Sequence, residues 1–95
     1  MIDAPLKTVG IDYPRAGEAI APGQPYSFRV TAPDDAREVR LSIDDGEWLP
    51  CRKGEGHWWF DWTAQAEGDH IAVSRVSEAD GSMLVTQPLL FKVRA

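Results

Sequence analysis

Apolar and polar residues alternate with a period of two along most of the chain. In QPYSFRVTA (24–32), Tyr26, Phe28 and Val30 share one face, and Ser27, Arg29 and Thr31 share the other. In REVRLSID (37–44), Val39, Leu41 and Ile43 alternate with Glu38, Arg40 and Ser42. In HWWFDWTA (57–64), Trp58, Phe60, Trp62 and Ala64 alternate with His57, Trp59, Asp61 and Thr63. Successive side chains of a strand point to opposite faces, so each run predicts a strand with one buried face. LKTVGIDY (6–13), EAI (18–20), EWLPC (47–51), DHIAVSRVSE (69–78) and MLVTQPLLFKV (83–93) complete the strand set, the last with Leu89, Phe91 and Val93 in phase. No stretch sustains the 3.6-residue period of an amphipathic helix. APDDAREVR (32–40) offers a single helical turn at most.

Proline and glycine punctuate these runs at YPRAG, APGQP, APDD, DDG, KGEG, EGD and EADG. Asp45-Gly46 predicts a two-residue hairpin turn, because both residue types accept positive φ. Pro50 marks the returning strand as an edge, since proline has no N–H to give a ladder. Short strands at this spacing predict two packed antiparallel sheets. The 95 residues form one domain, 1–95.

VRLSIDDGEWLPC (39–51), WWFDW (58–62), EGDHIAVSRVSEADG (67–81) and QPLLFKV (87–93) together resemble immunoglobulin-like domains of the early-set or fibronectin type III sort. Within that group they are most similar to the C-terminal dimerisation domain of sulfite oxidases. Val76 stands where that domain has Ala, and no molybdenum-binding domain is present. IDYPRAGEAIAPGQPYSFRVTA (11–32) is similar to bacterial early-set domains that open with P-x-x-G and carry a later G-x-x-Y. The resemblance implies an all-β, immunoglobulin-like antiparallel sandwich of about seven to eight strands. It also implies that strands 37–44, 69–78 and 83–93 share one sheet. Its motifs are turn and core positions, so they imply a fold and not an activity.

Composition narrows the function classes. The chain is 43% hydrophobic and 26% charged, which suits a globular protein and excludes a disordered one. A net charge of −5 with scattered basic residues argues against a nucleic-acid partner. Cys51 is the only cysteine, so no internal disulfide forms. His57 and His70 do not stand at zinc-ligand spacing from it. The opening MIDAPLKTVG lacks the cationic and apolar regions of a signal peptide. No run approaches the ~20 apolar residues of a membrane span, and the chain as given reads as soluble. There is no nucleophile elbow, phosphate loop or His-Glu metal pattern, so neither an enzyme nor a cofactor is expected. Asp44, Asp45 and Glu47 serve turn chemistry better than a cation. His57 and Asp61 lie ~13 Å apart along a strand, too far for an acid–base dyad.

Two surfaces remain as candidates. Trp58, Phe60 and Trp62 are expected to fill the core opposite a row of small residues formed by His70, Ala72, Ser74 and Val76. His70 would take the corner position that related sandwiches give to Tyr. That phase turns Ile71 and Val73 outward, and Leu90 with them, beside Arg40. Such a stripe is a candidate protein contact. A bulge in strand 69–78 is the alternative, and would turn Ile71 and Val73 inward. Trp59 lies among His57, Asp61 and Thr63, where it could stack on a sugar or anchor a partner. It could equally lie flat over a neighbouring strand. Trp48 is expected to fold back as a lid on the core, and otherwise joins Trp59, His57 and Asp61 as a ligand contact. W…WW…EGDH is loosely similar to glycogen-binding modules. The leading expectation is a non-catalytic assembly module that contacts a protein partner or a weakly bound second copy. Carbohydrate binding and an accessory role beside a larger enzyme are the alternatives.

Overall fold

The computed structural model describes residues 9–95, and these residues form strands, turns and loops with no helix. Ten short strands run in chain order: β1 (Gly10–Tyr13), β2 (Ala19–Ile20), β3 (Pro25–Thr31), β4 (Ala36–Ile43), β5 (Leu49–Pro50), β6 (Arg52–Gly54), β7 (His57–Thr63), β8 (Gly68–Glu78), β9 (Met83–Val85) and β10 (Leu89–Val93). Residues 6–8 of the expected first strand lie outside the described residues. The stretch 32–40 contributes to β4 and forms no helical turn.

The strands build two facing sheets. One has the order β1-β3-β7-β6, and the other β2-β10-β8-β4-β5 with β9 also paired to β8. All pairings are antiparallel except that of β2 with β10. The expected strand 47–51 shortens to β5 and is followed by an unexpected strand, β6, while the expected strand 83–93 is divided; proline stands at both places. The hairpin return leaves the six-stranded sheet at Pro50 and enters the four-stranded sheet at Arg52. Between them the Cys51 N–H donates to the Val39 carbonyl at 2.8 Å. The Cys51 thiol is free and half-buried, and burial pushes its pKa up to about 12, which leaves it a packed thiol rather than a nucleophile. The last strand breaks at Thr86–Pro88 into β9 and β10.

The hairpin after β4 turns one residue earlier than expected. Asp44 (φ 55°) and Asp45 (φ 59°) carry the positive φ values, in place of Asp45 and Gly46. The Asp44 carboxylate explains the shift. It accepts from His70 Nδ1 at 2.6 Å and from the Ile71 N–H at 3.0 Å, which fixes Asp44 in the turn. Glycine still suits position 46, where an added Cβ would crowd the Ile43 carbonyl oxygen at 3.0 Å.

Phe28, Val30, Val39, Leu41, Ala72 and Val76 are fully buried. Phe28 is the hub. Its ring meets those of Tyr26, Phe60, Trp62 and Phe91 edge-on, with centroids 5.4–6.4 Å apart. Trp58, Phe60 and Trp62 face inward as expected, but each is only half-buried. Strand β7 is one strand from its sheet's edge, and the opposing edge strand β5 is only two residues long. The tryptophan row therefore closes the open flank of the sandwich. A cleft of about 220 Å³ remains there, lined in part by Leu41, Leu49, Phe60 and Trp62.

Candidate functional site

The outer face of the six-stranded sheet is set by the phase of β8. Ala72, Ser74, Val76 and Glu78 are buried, while Ile71, Val73, Arg75 and Ser77 are partly exposed. Pairing with β4 runs without interruption from Glu38↔Ser77 to Ile43↔Ala72. The one irregularity lies at Ala36/Glu38, so no bulge turns Ile71 or Val73 inward. Leu90 stands opposite Ile71 and is 63% exposed. The four residues Arg40, Ile71, Val73 and Leu90 thus lie on one face.

That face also carries apolar residues that the sequence reading missed. Val85 pairs with Arg75 and is 59% exposed, and Met83 pairs with Ser77 and is 55% exposed. Read as one strand in phase with Leu89, residues 83–93 would put Val85 and Met83 inside. The break at Thr86–Pro88 resets the phase, so Leu84 and Thr86 turn inward instead. Thr86 secures the break: its N–H donates to the Ser74 carbonyl, and its Oγ1 accepts from the Ser74 N–H, both at 2.9 Å. The visible signal was Pro88, which cannot donate to a ladder.

Trp48 does not close the core. It lies on this outer face, with the Arg75 guanidinium 4.6 Å over its ring. The β5 register forces this: Leu49 pairs with inward Leu41 and Pro50 with outward Arg40, so Trp48 falls on the outer side. Arg40 and Arg75 are direct cross-strand neighbours, a repulsive pairing. Each finds its own partner. Arg75 has the indole, and Arg40 makes two bonds to Glu38 at 3.0 and 3.1 Å, which raise the Arg40 pKa and lower that of Glu38.

The other ligand candidates lie on the opposite side of the molecule, so Trp48 and Trp59 cannot share a ligand. Trp59 projects from the outer face of the four-stranded sheet, between Arg29 and Arg52 in register. Its Nε1–H donates to the Gly54 carbonyl at 2.9 Å. The His57 ring meets Trp59 edge-on at 6.3 Å, and its buried Nδ1 has no hydrogen-bond partner among the described residues. His57 therefore braces Trp59, and that nitrogen does not face solvent. Asp61 accepts from Ser27 Oγ at 2.7 Å and from Arg52 at 3.3–3.4 Å. These bonds, the Ser27 bond foremost, hold its carboxyl below the usual range.

His70 has a structural task. Its ring stacks on Phe91 and meets Trp62 edge-on, both at 5.6 Å. Nδ1 faces Asp44 at 2.6 Å and Nε2 faces the Ala66 carbonyl at 3.1 Å. Both partners are acceptors, so the doubly protonated ring satisfies the site best. The Asp44 hydrogen bond raises the His70 pKa most, opposed by partial burial and helped by the Ala66 carbonyl and the nearby Asp69. A raised folded pKa contributes stability that is complete below the unfolded value of about 6.5 and is lost as pH rises through the folded one. The melting-temperature advantage of wild type over His70→Gln should therefore shrink between about pH 6 and pH 9. Thermal melts of both proteins across that range would contradict the assignment if the gap widened.

Among the described residues no cluster of His, Cys, Asp and Glu could hold a metal ion, and no helix is long and apolar enough to cross a membrane. No family model and no curated protein matches the sequence. Solved structures do match. The fibronectin(III)-like modules of Clostridium thermocellum CbhA share 19% identity with the chain, at a TM-score of 0.76. That match covers 90% of this chain and 94% of the other. A modular endo-β-1,4-mannanase from Cellulomonas fimi matches at 18% identity and a TM-score of 0.73, over 94% of this chain but only 19% of its own. CopC from Methylosinus trichosporium OB3b matches at 13% identity and a TM-score of 0.64, over 93% of both chains. Nothing in these matches carries the expected likeness to sulfite oxidase dimerisation domains. At such identities the likeness is one of fold: the chain is an immunoglobulin-like β-sandwich of the fibronectin type III-like kind.

Proposed function

We propose that the chain is a non-catalytic assembly module that packs the outer face of its six-stranded sheet against another folded module. The observation that carries this reading is that Leu90, Ile71, Val73, Val85 and Met83 all lie on one outer face, on β8 and the two strands β10 and β9 that pair with it. Scattered exposed aliphatics are ordinary, whereas a contiguous strip marks a contact. The likeness to one part of a modular mannanase supports an accessory role beside other domains. The occupant best suited to the face is a second copy of the chain. Arg40 and Arg75 lie on it with Glu38, so a two-fold arrangement can set unlike charges together.

Five apolar side chains fall well short of the roughly 20–30 residues a side of a stable interface, so pairing is weak, about micromolar or weaker. Sedimentation equilibrium from about 10 µM to about 1 mM should show a concentration-dependent dimer. A Val73→Lys, Leu90→Glu double variant should stay folded and sediment as a monomer throughout. A wild type that remains monomeric, or a double variant that dimerises as well as wild type, would overturn self-pairing.

A further inference from the structure

The outer face of the four-stranded sheet is largely polar, and Trp59 stands on it among Ser27, Arg29, Arg52 and Asp61. The ring is held in place before any ligand arrives. Its Nε1–H is bonded to the Gly54 carbonyl, and its edge lies 3.7 Å from where a Cβ on Gly54 would stand. The indole thus lies along the β6 backbone, close against Gly54. A pre-positioned ring loses little conformational entropy on binding.

Beside the ring is an open depression of about 400 Å³, lined by Ser27, Arg52, Gly54, Glu55 and Trp59. Arg52 and Asp61 are well exposed, and they meet only at 3.3–3.4 Å. So loose a pair can exchange its bonds for those of a ligand. Arg52 offers donors, Asp61 and Glu55 offer acceptors, and Ser27 offers both. Charges of both signs on the rim disfavour a strongly charged ligand. A flat apolar surface ringed by donors and acceptors instead matches a pyranose, which has an apolar C–H face and hydroxyls around its edge. Strand β6 is the sheet edge and only three residues long, which leaves a path for a sugar chain past the ring.

We infer that this depression is a binding site for a neutral saccharide, with one pyranose stacked on Trp59 and its hydroxyls held by Arg52 and Asp61. It lies on the sheet opposite the proposed assembly face, so the two readings stand or fall separately. The test is an NMR titration of the whole protein with neutral gluco-, manno- and xylo-oligosaccharides, to about 10 mM. At least one should shift the Trp59 indole N–H and the Ser27, Arg52 and Glu55 amides, leaving Ile71, Val73 and Leu90 unmoved. Arg52→Ala, an exposed change that spares the core, should weaken that binding about fivefold or more. Trp59→Ala should abolish it. No response of the Trp59 indole to any of the three sugars would overturn the site. So would a response unaffected by Arg52→Ala.

Discussion

Phe28→Ala should unfold most of the domain at room temperature. The ring is fully buried and touches four other aromatic rings. Emptying such a site costs about 3–5 kcal/mol. A domain of this length sits near the low end of the usual range of about 5–15 kcal/mol. Trp62→Ala removes a larger ring but should cost less, on the order of 2 kcal/mol, because only its buried part contributes. Urea unfolding of both variants measures the order directly. If Trp62→Ala proved the more damaging, the tryptophan row and not Phe28 would be the centre of the core.

A lysine at Val76 should prevent folding, while a lysine at Val73 should shift stability by less than about 1 kcal/mol. The two positions are three residues apart on β8 and face opposite ways. Val76 is fully buried between Val39 and Leu84 in register. An ammonium there is taken out of water, a cost of several kcal/mol. Val73 stands on the outer face, where a lysine can carry its charge into solvent. Circular dichroism melts of both proteins check this. Comparable damage from the two changes would refute the strand phase on which the assembly face depends.

Strand phase was the most legible property of this sequence. Period-two alternation in 24–32, 37–44 and 69–78 put Phe28, Val39, Leu41 and Val76 inside, where they lie. The same phase turned Ile71 and Val73 outward, with a bulge as the alternative, and the phase of 87–93 turned Leu90 outward. Alternation is dictated by backbone geometry alone, so it survives without knowledge of the neighbours. What failed depended on tertiary context. Trp48 was expected to fold back over the core from its place just after the hairpin, yet the β5 register and the Arg75 guanidinium hold it outside. Met83 and Val85 went unremarked because one phase cannot be carried across the break at Thr86–Pro88. The hairpin turn moved by a residue because the side chains of His70 and Asp44 meet, a contact 26 residues apart in sequence. The tryptophan row lies at the flank because β5 is too short to cover it, and strand length in the facing sheet is not written in β7. The Trp59 depression depends likewise on β6 lying beside β7, where the Gly54 carbonyl accepts from the indole N–H.

The assembly reading is tested most directly by an amide NMR dilution series on the wild-type chain. Between about 1 mM and about 20 µM, the Ile71, Val73, Val85 and Leu90 amides should move together along one binding curve. Ser27, Trp59 and Asp61, on the far sheet, should stay fixed. Amides that do not respond to concentration, or that respond on the Trp59 face alone, would contradict it.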